Sequence, residues 1–342
     1  MDCGNANNTI NNIRKAIDRY EEFTKHKDFA INKKIGKAFK MHLLETKGAL
    51  SGKLLSKSHI SSTLFIIKDM FEWLALEQGS RSIDLRDLKP LRLSDKDMEI
   101  ARTPRRPRVP TIEEIRRIIV RMPAKTETEL RNRALVAGIL LTGMRDNAAA
   151  SLLLKYVRLE EELVEQRGEG MRTKYSKTIY SYFFPVGDDI QKIFVDWVQY
   201  LREVRGFNGN DPVFPQTNII HGKNNEFINS GLKPVVWANA NPIRRIFKEA
   251  CANAGLEYYN PHSFRATLTR LGQQLCRTPE EFKVWSQNLG HTEVMTTFLN
   301  YGKLPEHRQS ELIKNMKNRG PDTTKDDIKE LIALIKARDG VV

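Results

Sequence analysis

Apolar residues recur at helical spacing through the first hundred positions of the chain. One stripe runs from Ile10 to Phe23 in steps of three and four residues, and a second runs from Ile60 to Leu74. Such steps place side chains on one face of an α-helix. A third helix is predicted between the two stripes, and no alternation typical of a strand appears. The pattern predicts a helical domain over residues 1–100, with the stripes in its core.

A change of organisation follows in the segment ARTPRRPRVPT at 101–111. Its three prolines interrupt helix continuation and favour extended backbone, which indicates an interdomain linker. The segment carries four arginines: Arg102, Arg105, Arg106 and Arg108. One interpretation is a solvated linker, and the other is an arm that lies along DNA and contacts phosphates or a narrow minor groove.

Helical and β-prone segments both occur after the linker. Thr111 and Glu114 form a T-x-x-E capping box that starts a helix, and Thr278 and Glu281 form another. Between them, the segments YVRLEEELVEQ and TIYSYFFPV predict a hairpin or small sheet edge. Further helices are predicted over 130–141, 190–204, 242–254, 261–275 and 278–289. The larger domain, predicted over residues 112–318, is therefore mainly α with a small antiparallel β-sheet.

The composition favours a polyanionic partner. The chain of 342 residues has 56 Lys and Arg against 42 Asp and Glu, a formal net charge of +14. A surplus of this size is typical of nucleic-acid-binding proteins, although a basic protein without that role is the alternative. Lys53 and Lys57, after a turn in the amino-terminal domain, and the four linker arginines are the candidates for DNA contacts.

The cysteines and the apolar runs exclude several classes. The three cysteines, Cys3, Cys251 and Cys276, form no CxxC pair, so neither a disulfide framework nor a cysteine-based zinc site is indicated. No segment approaches the roughly 20 apolar residues that span a bilayer. We expect a protein of the reducing cytoplasm that is neither exported nor embedded in a membrane.

Six residues in distinctive local contexts suggest chemistry on a phosphodiester. They stand in the segments TGMR, SKTIYSYFFP, PHSFR and LGHTEVMTTFLNY: Arg145, Lys177, His262, Arg265, His291 and Tyr301. Each alone is more often structural, for example a core histidine or an aromatic anchor. Guanidiniums neutralise the charge that builds on a five-coordinate phosphorus without a metal, because each offers a bidentate fork.

The attacking and leaving groups each need a proton partner. The phenol of Tyr301 has a pKa near about 10, so it requires surrounding positive charge and a proton acceptor such as His262 or a held water. The leaving deoxyribose oxygen needs a general acid, and Lys177 in the predicted hairpin is suitable, with Lys174 as a competitor.

These motifs make the chain resemble the tyrosine recombinase (phage integrase) family over nearly its whole length. The resemblance implies a helical core-binding domain and an α+β catalytic domain. It also implies that Arg145, Arg265, His262 and His291 bind the phosphate, that Lys177 is the hairpin lysine, and that Tyr301 forms a 3′-phosphotyrosyl link. Neither metal nor ATP is then required. The implied partners are double-stranded DNA recombination sites, three further copies of the chain in a tetramer that exchanges strands through a Holliday junction, and in some cases a directionality factor.

The chain departs from the family pattern in its first box and before its tyrosine. Ala148 and Tyr156 stand where acidic residues are common, so another group must orient the arginines. Tyr301 follows His291 by ten residues where nine is common. The segment 319–342 is predicted to hold a tail helix, which in this family often docks on a neighbouring protomer but is as readily a frayed solvated helix.

Integration or excision of a mobile element is the favoured role. The alternatives are resolution of chromosome dimers, relaxation of supercoils in the manner of a type IB topoisomerase, and DNA binding without catalysis. The last is disfavoured because all six roles have a candidate residue.

Overall fold

The computed structural model describes residues 7–25, 31–49, 52–77, 83–103, 108–173, 177–221 and 227–291. The chain divides into two compact units, Met1–Arg106 and Pro107–Val342. The fold is mainly helical, as the sequence predicts, and it includes small antiparallel sheets.

The amino-terminal unit is built from helices around an aromatic core. Its helices are α1 (Asn7–Thr24), α2 (Lys33–Glu45), α3 (Lys57–Leu76) and α4 (Asp95–Arg102), with a short 3-10 turn at Leu85–Leu88. Tyr20 packs edge-on against Phe39 and Phe71 at centroid distances of 4.9 and 5.3 Å. The two predicted apolar stripes lie on α1 and α3 and face this core, except that Ile10 at the start of the first stripe is exposed.

The fourth helix was not predicted, and its last residues overlap the predicted linker segment. Ser94 caps α4 by accepting from the backbone N–H of Asp97. The helix continues through Arg102, into the segment 101–111 that the sequence predicts as a linker. The N–H of Thr103 still bonds the carbonyl of Glu99 at 2.8 Å. The helix stops there because Pro104 follows, and a residue before proline disfavours helical backbone.

The second unit packs its helices around one buried helix. Its helices are α5 (Ile112–Arg121), α6 (Glu127–Thr142), α7 (Asp146–Ala149), α8 (Asp188–Gln199), α9 (Asn241–Asn253), α10 (Pro261–Leu275) and α11 (Pro279–Asn288). Helix α6 is buried on all sides from Ala134 to Thr142. Gly138 lies on α6 where a Cβ would be 2.9 Å from the ring of Phe194, so the glycine permits the close packing of α8.

The local signals for helix starts are confirmed. Thr111 and Glu114 cap α5 with reciprocal hydrogen bonds, and Thr278 and Glu281 do the same for α11. The helix predicted over 190–204 does continue to Val204, but α8 ends at Gln199 and the last five residues, Tyr200–Val204, form a π-helical turn. Arg202 in that turn donates to the carbonyl of Val157 at 2.7 Å, which ties it to the sheet.

The described residues of the second unit also form two antiparallel sheets. Strands β1 (Val157–Arg158), β2 (Leu163–Gln166) and β3 (Ile179–Tyr182) form one sheet in the order β1-β2-β3, where the sequence predicts a hairpin. Strands β4 (Gln216–His221) and β5 (Phe227–Lys233) form a second sheet that was not predicted. The position of β3 at a sheet edge matters for the site, because its outer side is available to another element.

Candidate active site

The segment TGMR forms a turn that only glycine fits. Helix α6 ends at Thr142, and Gly143 takes a left-handed backbone with φ of 62° while its N–H bonds the carbonyl of Ile139 at 3.0 Å. A Cβ on Gly143 would lie 2.8 Å from the side chain of Leu289. The chain then extends to Arg145, which is half-buried at the start of α7.

The segment LGH forms a second turn, at the end of α11. Gly290 has φ of 68°, and its N–H bonds the carbonyl of Gln287 at 2.7 Å. The N–H of His291 bonds the carbonyl of Ser286 at 3.1 Å, which completes a Schellman motif. The backbone that carries the His291 ring is thus fixed by the way the helix ends.

Arg265 joins the two turns. It lies on α10 and is only 4% exposed. One terminal nitrogen, Nη1, donates to the carbonyl of Gly143, and the other, Nη2, donates to the carbonyl of Leu289 at 2.6 Å. The same Nη2 lies 3.0 Å from Nε2 of His291. A planar guanidinium suits this task because its fork reaches two acceptors at once.

His262 occupies the first turn of α10, one turn before Arg265. Asn260 caps this helix by accepting from the N–H of Ser263 at 3.0 Å, and Pro261 is its first residue. The side chain of His262 is exposed. The H-x-x-R spacing therefore separates a buried arginine from a histidine at the protein surface.

The electrostatics of His291 show that the four residues converge. Burial lowers the pKa of His291, and the positive charges of Arg265, Arg145 and His262 lower it further, to about 4. A neighbouring charge shifts a pKa appreciably when it lies within roughly 4–6 Å, and the effect weakens with distance. Four of the six residues predicted from the sequence are therefore together, and they concentrate positive charge at one place.

A cleft of about 380 Å³ opens beside this cluster. Its walls come from β3, from the residues before it and from the carboxyl end of α11. Both Lys177 and His291 line it, and Lys177 is exposed. Lys177 precedes β3 by two residues, as expected of a lysine in the connection to that strand.

Several candidate residues lie outside the described part of the chain: Lys174, Arg105, Arg106 and Tyr301. The remaining DNA-binding candidates are described. Lys53 is exposed, and Arg102 is exposed at the end of α4. Lys57 forms an ion pair with Asp97 at 3.0 Å, and Arg108 forms one with Glu114 at 2.7 Å. The DNA contacts of all these residues stay predictions.

The departures from the family pattern have a structural counterpart. Ala148 is buried in α7 and offers no charge, and the hydroxyl of Tyr156 points to the carbonyl of Glu169. Two backbone carbonyls, those of Gly143 and Leu289, hold the guanidinium of Arg265. Next to Arg145, the carboxylate of Asp146 pairs with Arg244 at 2.9 Å.

Sequence reasoning missed the residues that attach β3 to α11. Asn288 and Ser181 form hydrogen bonds between the two elements, and Gln166 extends them to β2. Neither periodicity nor a motif marks these positions, because the bonds between β3 and α11 join residues more than a hundred positions apart along the chain.

The described residues hold no group of three histidine, cysteine or acidic side chains placed to bind a metal ion. Within the same residues, no helix has the length and apolar character needed to cross a bilayer.

Comparison with known proteins finds a family model that matches this chain and solved structures with a similar fold. The model of the phage integrase family matches residues 109–307. The fold is similar to XerH site-specific recombinase bound to palindromic difH substrate, with a TM-score of 0.58 and 16% identity over 90% of this chain and 80% of that one. It is also similar to a lambda integrase dimer bound to a COC' core site, with a TM-score of 0.56 and 14% identity over 96% and 94% of the two chains.

A third structure, the Tn1549 transposon integrase in complex with transposon right end DNA, has a TM-score of 0.54 and 14% identity over 92% of this chain and 95% of that one. At these identities the similarity concerns the fold. The search of curated protein sequences finds no match.

Proposed function

The chain belongs to the phage integrase family, and from that membership we propose that it recombines DNA at specific sites through a covalent 3′-phosphotyrosyl intermediate. The family is that of the tyrosine recombinases, so the chain is an enzyme that cuts and rejoins DNA. The single observation that carries the proposal is the convergence of Arg145, His262, Arg265 and His291 beside a cleft that Lys177 also lines.

The cationic cluster suits a scissile phosphate. Negative charge grows on the non-bridging oxygens as phosphorus becomes five-coordinate, and preorganised donors stabilise it without reorganising. Arg265 is held by two carbonyl oxygens and adds its charge from a buried position. Arg145 and His262 are more accessible and supply hydrogen bonds to the phosphate oxygens.

The remaining steps use Tyr301 and Lys177. The phenol oxygen of Tyr301 attacks phosphorus, and its proton passes to an acceptor such as His262. The bond from phosphorus to the 5′ oxygen breaks, and Lys177 protonates that oxygen as it leaves. The phosphotyrosine keeps the energy of the broken bond, so a 5′ hydroxyl of a second strand can reverse the reaction without ATP.

The nucleophile is tested with a nicked suicide duplex, on which the covalent adduct accumulates. Tyr301→Phe should bind DNA as the parent protein does but form no adduct. Tyr258→Phe is the matched control. Tyr258 is an exposed tyrosine, and the charges of Arg244 and Asp146 act on its hydroxyl group. Adduct that persists in Tyr301→Phe would reject the assignment, whether or not Tyr258→Phe still forms it.

We further propose that four copies act in a synapse on two DNA sites and that the reaction integrates or excises a mobile element. The presence of two integrases, one from a transposon, among the three structures reported above supports the second part. Strand exchange between two short duplexes is the test, since a type IB topoisomerase would cleave but not exchange them. Repeated attachment sequences beside the gene would identify a mobile element, and their absence together with a chromosomal resolution site would favour dimer resolution.

Acting on chromosomal DNA would place the protein at the nucleoid, and integration or excision would allow a directionality factor to bias the outcome. The basic residues of the amino-terminal unit and linker, Lys53, Lys57, Arg102, Arg105, Arg106 and Arg108, are proposed to contact DNA phosphates.

A further inference from the structure

The attachment of β3 to α11 connects the proposed general acid to the rest of the site. This inference rests on the proposed function. We infer that Asn288 is a positioning residue, whose side-chain amide pairs with the main chain of Tyr182 and thereby holds β3, and with it Lys177, against the turn that bears His291.

The side-chain amide of Asn288 bonds to β3 as the backbone of one residue in a neighbouring strand would. Its Oδ1 accepts from the backbone N–H of Tyr182 at 2.7 Å, and its Nδ2 donates to the carbonyl of Tyr182 at 2.9 Å. The backbone N–H and C=O of Tyr182 point away from β2, because Tyr182 and Leu163 face each other as a non-hydrogen-bonded pair beside the bond from the N–H of Phe183 to the carbonyl of Glu162. Only one orientation of the amide satisfies both contacts, so donor and acceptor are assigned by the partners.

A second, buried connection runs beside the first. The hydroxyl of Ser181 donates to the backbone carbonyl of Asn288 at 3.1 Å and accepts from Nε2 of Gln166 at 2.7 Å. Ser181 and Gln166 are both buried. The last carbonyls of a helix, which include that of Asn288, have no donor within the helix. The hydroxyl of Ser181 on β3 supplies this donor.

Steric contact fixes the same junction from the other side. A Cβ on Gly290 would lie 2.4 Å from Cδ1 of Ile179. Strand β3 therefore meets the end of α11 at Ile179, Ser181 and Tyr182. Lys177 lies two residues before Ile179 and faces the cleft that His291 also lines.

This geometry makes Asn288 a positioning group for the reaction. Both of its side-chain polar atoms face Tyr182, so the amide holds the strand while Lys177 does the proton transfer. A general acid must reach the leaving oxygen within hydrogen-bond distance, and a displacement of about 1 Å costs on the order of a hundredfold in rate. Loss of the Asn288 amide should therefore appear as a defect of leaving-group protonation.

Substitution of sulfur for the scissile 5′ oxygen isolates that step. A thiol has a pKa of about 8.5, so a thiolate departs without a proton, whereas an alkoxide is far more basic and needs the general acid. A variant that is slow because Lys177 is misplaced should recover on the sulfur substrate. A variant with damaged phosphate binding or nucleophilic attack should stay slow on both.

The experiment compares adduct formation by the full chain on oxygen and sulfur suicide duplexes. Asn288→Ala should be slower by roughly 10- to 100-fold on the oxygen substrate and within about threefold of the parent on the sulfur substrate. Asn288→Asp is nearly isosteric and keeps the acceptor while losing the donor, so it should show the same pattern even if Asn288→Ala folds poorly.

Two reference variants make the outcome decisive. Thr278→Ala weakens α11 at its other end by removing the capping box, and it should affect both substrates equally and little. Lys177→Ala should be slow with oxygen and recover with sulfur. Suppose that Lys177→Ala recovers on the sulfur substrate. The inference is then overturned if the Asn288 variants are equally slow on both substrates, or if they show no defect on the oxygen substrate. If Lys177→Ala itself fails to recover, the general-acid assignment in the proposed function fails instead.

Discussion

The guanidinium of Arg265 lies 3.0 Å from Nε2 of His291, and this contact defines the state of the imidazole. A guanidinium can only donate, so Nε2 accepts and the ring is neutral with its proton on Nδ1. His291 therefore presents an N–H donor from Nδ1, while its own charge is suppressed by burial and by the surrounding cations.

The first prediction is that His291 titrates far below an ordinary histidine. Its pKa is lowered to about 4 in the folded protein, whereas an unfolded chain has a value near about 6.5. Between these values the unfolded state binds more protons, so stability is present above about pH 6.5 and declines as pH falls toward 4. A bound phosphate should raise the pKa of His291.

NMR titration of the histidine rings, with His291→Ala to assign the signal, measures this value in the presence and absence of DNA. A midpoint near the ordinary histidine value in the DNA-free protein would contradict the prediction.

The second prediction concerns the fork of Arg265. Arg265→Lys keeps the charge but offers one nitrogen, which cannot reach the carbonyls of Gly143 and Leu289 in the same plane. Leaving a buried carbonyl unsatisfied costs about 1–3 kcal/mol, so the free energy of unfolding should fall by that amount and adduct formation should be largely lost.

Arg270→Lys on the exposed face of the same helix is the control, and it should stay within about 0.5 kcal/mol of the parent in denaturant unfolding. Equal stabilities of the two variants would show that the carbonyl contacts contribute little.

The third prediction separates backbone strain from steric contact at Gly290. Gly290 and Gly255 both have φ of 68°, but a Cβ on Gly255 meets no atom within 4 Å. Gly255→Ala should cost about 1–2 kcal/mol for the left-handed backbone alone. Gly290→Ala should cost a further ~1–3 kcal/mol because its methyl group would displace Ile179. Thermal or denaturant unfolding measures both, and similar losses would mean that β3 yields easily.

The fourth prediction tests the linker arginines. If Arg105 and Arg106 each neutralise a phosphate, replacing both with alanine should reduce the slope of log binding constant against log salt by about 1.8. Arg86→Ala with Lys89→Ala removes the same net charge from the amino-terminal unit and should change the slope less. Equal changes in the two double variants would indicate a general charge effect. An unchanged slope for the linker variant would show that Arg105 and Arg106 do not neutralise DNA phosphates.

Features set by nearby residues were predictable. The capping threonines Thr111 and Thr278 marked helix starts correctly because an N-cap bonds to a backbone N–H three residues away. The spacing of the apolar stripes predicted α1 and α3 correctly because residues three and four apart share one face of a helix. The short helix α4 was missed, although Ser94 is a recognisable cap, because it has no buried apolar stripe.

The second sheet was missed because its strands are weakly patterned. Strand β4 exposes Ile219 and Ile220, so the alternation that would reveal a half-buried strand is absent there. The two strands are held together by antiparallel pairing between β4 and β5, which the sequence pattern does not indicate.

By itself, the sequence determined which residue types are available for the chemistry and which helices begin where, since both depend on identity and local spacing. The tertiary structure decided the rest. It placed Gly143 against Leu289, carried the Arg265 guanidinium to two carbonyls on separate turns, and set the Asn288 amide against Tyr182. These contacts join residues 24 to 146 positions apart, and close packing of the core selects such pairs without any signal in the local sequence.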